Sequence, residues 1–216
     1  MRLHKISFSL RTILAGLAVV AMLFSALPAL AATAENTDKA AAKKPLVVYF
    51  SESGHTKKVA EMIHQKVGGD ILRVEPEKAY PQDYDTLVKL AKKEQAENAR
   101  PAIKTAIPNL EEYGVIFLGY PNWWSSLPMP MFTFIEQAKM DGRVIAPFDT
   151  HGGGGLGHSI DDLKKALPAA KILKPLAVSG NRADSAEPNV AKWLEELGPA
   201  LGTSVPGSAG PAGGAD

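Results

Sequence analysis

The chain contains no cysteine. Disulfides and thiolate chemistry are thereby excluded, stability must come from an ordinary apolar core, and no cysteine is available for lipid attachment. A dominant charge is also missing: 24 Lys and Arg stand against 23 Asp and Glu. So even a balance does not point to nucleic acid or a polyanionic partner. Long apolar runs are lacking as well. The longest candidate, Ile13 to Phe24, is twelve residues, well short of the roughly 20 needed to span a bilayer. The five histidines, at positions 4, 55, 64, 151 and 158, show no metal-ligand spacing, so no metal is expected.

What is present begins with an export signal. Arg2, Lys5 and Arg11 precede the short apolar run, and Pro28 with Ala29-Leu30-Ala31 follows it. A positive start, an apolar core and an A-x-A site read as a secretory signal peptide over residues 1–31, and an uncleaved membrane anchor is the competing reading. Cleavage removes three basic residues and no acidic ones, leaving 21 against 23, a net charge of −2. The mature protein is expected to be periplasmic or secreted, with no stable membrane anchor. Arg11 is followed by Thr12, so there is no twin-arginine pair, and export of an unfolded chain that acquires any cofactor afterwards is the expectation.

Residues 32–43 are rich in Ala and Lys and read as a flexible leader, and residues 198–216 form a Gly/Pro/Ala-rich tail expected to be disordered. The remaining 44–197 is one domain's worth of sequence without an internal repeat. Within it, short β-branched runs alternate with helical spacing. Strands are expected at Leu46–Phe50, Ile71–Val74, Val115–Leu118, Val144–Phe148 and Ile172–Val178. Helices are expected after Thr56, over Tyr84–Ala99 with Tyr84, Leu87, Val88 and Ala91 on one face, over Met131–Ala138, after a capping Ser159, and around Val190–Leu197. Five apolar strands separated by helices predict a doubly wound α/β fold, a parallel sheet with helices on both faces. Ligands of such sheets bind beyond the carboxyl ends of the strands, where strand order reverses.

Three loops lie at those ends. Ser51-Glu52-Ser53-Gly54-His55-Thr56 joins a strand to a helix N-terminus, whose free N–H groups and dipole make an anion site. Its three hydroxyls without Lys or Arg suit a monophosphate, and an incidental N-capped turn is the alternative. Gly119 to Pro128 holds adjacent Trp123 and Trp124, which suit the wall of a planar ligand site or, alternatively, a protein-contact patch. Asp149 to Ser159 carries Gly152-Gly153-Gly154-Gly155 and has the spacing of a nucleotide-binding P-loop, but His158 stands where its lysine belongs, so NTP binding is disfavoured. Glycines there would let backbone N–H groups approach a polar ring edge, with His151 and His158 otherwise solvated.

Together the three loops resemble the flavodoxin family. Tyr49 to Ala60 resembles its phosphate fingerprint, Gly119-Tyr120-Pro121-Asn122-Trp123-Trp124 resembles the flavin loop of a flavodoxin-like branch with Pro-x-Trp-Trp, and Thr150-His151-Gly152-Gly153 falls where the second flavin loop lies. The resemblance implies a five-stranded sheet in the order 2-1-3-4-5 and FMN at its carboxyl edge. By the same resemblance Ser51, Glu52, Ser53, Gly54, His55 and Thr56 hold the phosphate, Pro121, Asn122, Trp123 and Trp124 flank the isoalloxazine, and Thr150, His151, Gly152 and Gly153 meet its other edge. Two departures stand out: His55 where Asn is frequent, and no aromatic residue in the Thr150 loop, where many electron-transfer members stack a Tyr. An open flavin face implies an FMN oxidoreductase passing electrons to a small, quinone-like acceptor. A one-electron carrier between proteins and a non-redox binding module remain as alternatives, and the sequence names neither electron donor nor acceptor.

Overall fold

The structure, a computed structural model, describes residues 43–201. The expected signal peptide, the expected leader up to residue 42 and the expected tail from residue 202 lie outside the described residues. Strands β1 (Lys44–Tyr49), β2 (Asp70–Arg73), β3 (Tyr113–Pro121) and β4 (Val144–His151) form a parallel sheet in the order β2-β1-β3-β4. The fifth position is filled by two short strands, β5 (Lys171–Ile172) and β6 (Leu176–Ser179), which both pair with β4. A single strand from Ile172 to Val178 is expected from the sequence; the chain instead breaks at Leu173-Lys174-Pro175. Pro175 has no N–H to donate to the ladder, and the Lys174 carbonyl is bonded instead by the Trp193 indole at 2.8 Å. The five-position order 2-1-3-4-5 is otherwise as the resemblance implies.

Period-two alternation within buried strands sorts their side chains onto two faces. Leu46 and Val48 of β1 and Phe50 just after it, with Ile116, Leu118 and Tyr120 of β3, pack against α3 (Met129–Gln137) and α4 (Ser159–Ala166) through Met131, Phe134, Ile135 and Leu163. Helix α2 (Tyr84–Ala96) adds Leu87 and Leu90 to the same side. Val47, Tyr49, Val115 and Phe117 pack on the opposite side against α1 (His55–Val67) and α5 (Glu187–Leu201). Each face is covered, which is why the strands read as continuous apolar runs rather than as alternating ones.

Helix ends depart from the sequence reading for local reasons. Helix α2 stops at Ala96, before the expected Ala99, because Asn98 adopts the left-handed region at φ 47°. Ser159 does not cap α4. His158 holds that position, and Ser159 is buried with its hydroxyl accepting a hydrogen bond from the Tyr120 hydroxyl at 3.1 Å. Helix α5 continues past Gly198 into the segment assigned to the tail, because Leu201 extends the buried stripe of Val190, Trp193 and Leu197. No helix among the described residues is long and apolar enough to cross a membrane.

The consequence for function is positional. From β1 the chain passes through α1 to β2 on one side and returns through α2 to β3 on the other. The loops leaving β1 and β3 therefore diverge and leave a crevice at the carboxyl edge.

Candidate functional site

A cleft of about 600 Å³ occupies that crevice. The loop after β1 forms its base. Gly54 sits at φ 86° ahead of α1, a left-handed conformation that a side chain would strain, and no side chain caps the helix. The first turn of α1 also holds no acidic residue, so the N–H groups and the positive dipole end are uncompensated. Ser51 is buried, and its hydroxyl has no hydrogen-bond partner. Ser53 is exposed, its hydroxyl 3.3 Å from His55 Nδ1. The two cations after the loop are engaged elsewhere, Lys57 with Glu61 at 3.7 Å and Lys58 with Asp184 at 2.5 Å. Half-buried Glu52 has its pKa raised by desolvation against the opposing pull of Arg73, whose guanidinium donates to the Ser51 carbonyl at 3.0 Å.

Thr56, which the resemblance assigns to the phosphate, also ties the loop to a neighbouring one. Its hydroxyl is buried and meets the Thr150 hydroxyl at 2.8 Å. The pair clamps the first loop to the end of β4, because Thr150 emerges on the sheet face that carries α1.

The loop after β3 forms one wall. Trp123 and Ser126 exchange backbone hydrogen bonds at 3.0 and 3.1 Å around a tight turn, with Trp124 at φ 52° and Ser125 at φ 65°. The two tryptophans diverge. Trp123 is half-buried and stands edge-on to Phe50 and Tyr80, with ring centroids 5.3 and 5.1 Å away, so it belongs partly to the core. Trp124 lies on α2: its indole donates to the Val88 carbonyl at 3.0 Å, and Lys92 sits 4.7 Å from its ring centre. Both rings line the cleft, together with Pro121 and Asn122.

The glycine loop after β4 closes the opposite edge. Thr150, His151 and Gly152 line the cleft, and the Gly153 amide donates to His151 Nδ1 at 3.0 Å. Two later glycines serve the junction of loops. The Asn122 amide side chain donates to the Gly155 carbonyl, the Asn122 backbone to Thr150 at 2.8 Å, and the His158 backbone to Ser125 at 2.8 Å. Gly157 lies so near that an added Cβ would be 2.4 Å from the Ser125 carbonyl oxygen.

Two contributors were missed in the sequence. Ser179, Gly180 and Asn181, directly after β6, line the cleft. Gly180 approaches the first loop closely enough that a Cβ would lie 2.8 Å from His55 Nδ1. Their signal was available, because every carboxyl end of a parallel sheet opens on the same edge. The second is the face of α2 formed by Tyr84, Leu87, Val88 and Ala91, whose spacing was legible while its destination was not. Tyr84 is 75 % exposed on that face. Among the described residues no cluster of His, Asp or Glu is arranged to hold a metal ion.

A doubly wound sheet with an uncapped helix end, hydroxyls and an aromatic wall at its switch point defines a protein built to hold a phosphorylated planar ligand. A family model described as flavodoxin matches residues 44–197, and the chain belongs to the flavodoxin family. It is similar in structure to a candidate flavoprotein from Bacteroides eggerthii, at 35 % identity and a TM-score of 0.63, with 71 % of this chain and 97 % of that one covered. A candidate flavoprotein from Bacteroides uniformis aligns at 28 % identity and a TM-score of 0.64, covering 70 % and 97 %. A flavoprotein from Lactobacillus acidophilus, solved in complex with FMN, shares the fold at 24 % identity and a TM-score of 0.57, covering 67 % and 98 %. No curated protein matches the chain.

Proposed function

We propose that the cleft holds FMN and that the protein is an exported FMN oxidoreductase passing electrons to a small acceptor. The observation that carries the reading is the coincidence, in one cleft, of an uncapped helix end beside a buried, partnerless Ser51 hydroxyl and a wall made by two tryptophans. An orphaned buried hydroxyl costs about 1–3 kcal/mol, and a phosphate at the α1 N-terminus would satisfy it. Neutral donors without a free lysine match a single phosphate group better than a triphosphate with its metal.

In this reading Ser51, Glu52, Ser53, Gly54, His55 and Thr56 surround the phosphate, and Thr56 also holds the loop in place through Thr150. Pro121, Asn122, Trp123 and Trp124 flank the ring, while Thr150, His151, Gly152 and Gly153 meet its far edge. FMN supplies the redox chemistry itself. The chain's own residues bind, orient and shield it, and His151, which lines the cleft, would hydrogen-bond the ring edge. The apolar face of α2, with Tyr84 and Val88 reaching into the cleft, supports a small planar acceptor.

The test is the visible spectrum of the purified mature protein with and without added FMN, followed by turnover with NAD(P)H and a panel of quinones. A flavin spectrum and quinone-dependent turnover are expected. A bound flavin without turnover on any small acceptor makes the protein an electron carrier, and no uptake of flavin makes it a binding module that kept the fold. Export is tested by comparing the periplasmic and cytoplasmic fractions for a chain shortened near Ala31.

A further inference from the structure

Beside the cleft lies a second recess, of about 270 Å³. The two meet along Leu87, Pro121 and Trp123, which line both. Glu52 lines the recess and not the cleft, although it belongs to the loop that would hold the phosphate. A carboxylate turned toward a phosphate would repel it. The Glu52 side chain instead faces the recess, together with Pro81 and Gln82.

The surroundings leave that carboxylate free to receive a donor. Glu52 is half-buried, and among the described residues none hydrogen-bonds its side chain or stands within ion-pair distance of it. Arg73 attracts its charge, but that guanidinium donates to the Ser51 carbonyl at 3.0 Å and lies 3.9 Å from Glu75. The described residues that line the recess include no Lys, Arg or His, and Pro81, Leu87, Pro121 and Trp123 make it mainly apolar. Asp149, another acid at this edge of the sheet, is a contrast. Burial raises its pKa to about 7, but it is fully buried and out of a ligand's reach. Glu52 has lost part of its hydration and opens on a space that a ligand can enter, so a ligand N–H or O–H would restore what burial removed.

We propose that this recess is the subsite of the electron acceptor, and that it selects a planar ring bearing an N–H or O–H group, which donates to Glu52 while Leu87, Pro121 and Trp123 hold the ring beside the cleft. Ligand pockets start at about 300 Å³, so the recess suits a small fused ring rather than a long cofactor. The inference rests on the FMN reading for the occupant of the cleft, and adds to it the class of acceptor: an amino- or hydroxy-substituted quinone in preference to a plain one.

The experiment titrates the FMN-saturated mature protein with an aminonaphthoquinone and with the methylnaphthoquinone substituted at the same ring carbon. The two match in size and differ in the N–H donor. Binding is read from the visible absorbance of the oxidised flavin, without reductant, so turnover does not enter. Wild type is expected to bind the amino compound roughly tenfold more tightly. Glu52→Leu should bring the two within about twofold, and Glu52→Gln, which keeps a neutral oxygen, should leave a preference of about threefold. The ratio between the ligands cancels any effect of the substitution on the loop itself. Equal binding or no binding by wild type, or an amino preference that survives Glu52→Leu, overturns the inference and leaves the FMN reading intact. Should Glu52→Leu not fold, an undiminished ratio in Glu52→Gln overturns it.

If the protein takes up no FMN, that reading fails, and the recess is tested by itself, since the chain alone forms it. The same pair is then titrated on the apoprotein by quenching of tryptophan fluorescence, because Trp123 lines the recess. A preference for the amino compound that depends on Glu52 upholds the site for this class of ring, and equal or absent binding overturns it.

Discussion

Gly155 and Gly157 form a natural pair of controls, because both have a left-handed backbone and only one is crowded. Gly155 is at φ 58° with nothing within 4 Å of an added Cβ, while Gly157 is at φ 55° with Ser125 O, Cα and Cβ at 2.4, 2.7 and 2.7 Å. Alanine at either position incurs the left-handed penalty of about 1 kcal/mol. At Gly157 the β3 and β4 loops must also part, since the clashing atoms are mainly backbone. That separation adds overpacking of about 1–3 kcal/mol and the loss of the His158–Ser125 hydrogen bond, about 1 kcal/mol. Urea unfolding of the apoprotein should therefore show a loss of roughly 1 kcal/mol for Gly155→Ala and roughly 3–5 kcal/mol for Gly157→Ala. Flavin titration should show affinity within about threefold of wild type for the first and at least about tenfold weaker for the second. Equal stability and equal affinity for the two variants would refute the claim that Gly157 leaves space for the loop junction rather than supplying mere flexibility.

Three further outcomes follow from the same geometry. Ser51→Ala combined with Ser53→Ala should weaken FMN binding by roughly tenfold or more and leave riboflavin binding unchanged, since only FMN has the phosphate; equal losses for both ligands would place the phosphate elsewhere. Ser125→Gly should stabilise the apoprotein by up to about 1 kcal/mol in urea unfolding, because Ser125 is held at φ 65° and glycine removes that strain. Asp149→Asn should be more stable than wild type at pH 8 and close to it near pH 4. The sign follows from linkage: the folded-state pKa of about 7 lies above the ordinary value of 3.8, so wild-type stability is full below that value and falls as pH rises to about 7. Thermal midpoints measured across that window check it, and parallel wild-type and Asn curves would contradict it.

The strands of the parallel sheet were legible because strands buried on both faces leave a strong mark, as in Leu46-Val47-Val48-Tyr49-Phe50, whereas their order came from the resemblance. The first loop was legible for a related reason: a hydroxyl-rich turn between a buried strand and a helix start is a local arrangement, fixed by neighbours in sequence. What escaped depends on partners far along the chain. Nothing around Ile172–Val178 announces that the strand breaks, except Pro175, and the indole that takes up the freed carbonyl comes from Trp193. Nothing near Thr56 in the sequence announces that its hydroxyl meets that of Thr150, 94 residues further on. The α2 stripe of Tyr84, Leu87, Val88 and Ala91 gave its spacing, but helical periodicity cannot distinguish a stripe facing the core from one facing a cleft.

The two tryptophans show how the local and the distant combine at this site. Sequence adjacency makes their rings diverge, which argues against both being ordinary core. Yet the ring better placed in the core, Trp123, is the one whose edge-on contacts with Phe50 and Tyr80 tie the β3 loop to the end of β1. Trp124 is then presented on the far side of a turn that requires left-handed backbone at two non-glycine residues, a strain of about 1–2 kcal/mol each. That conformation persists because three distant groups oppose its relaxation: the Val88 carbonyl accepts from the indole, Gln95 donates to the Trp124 carbonyl at 3.3 Å, and the His158 amide donates to the Ser125 carbonyl. The cleft wall is therefore fastened to β1, to α2 and to the start of α4 at once. A wall held from three elements has little freedom to collapse into the crevice, so the cleft stands open at the sheet edge before any ligand arrives.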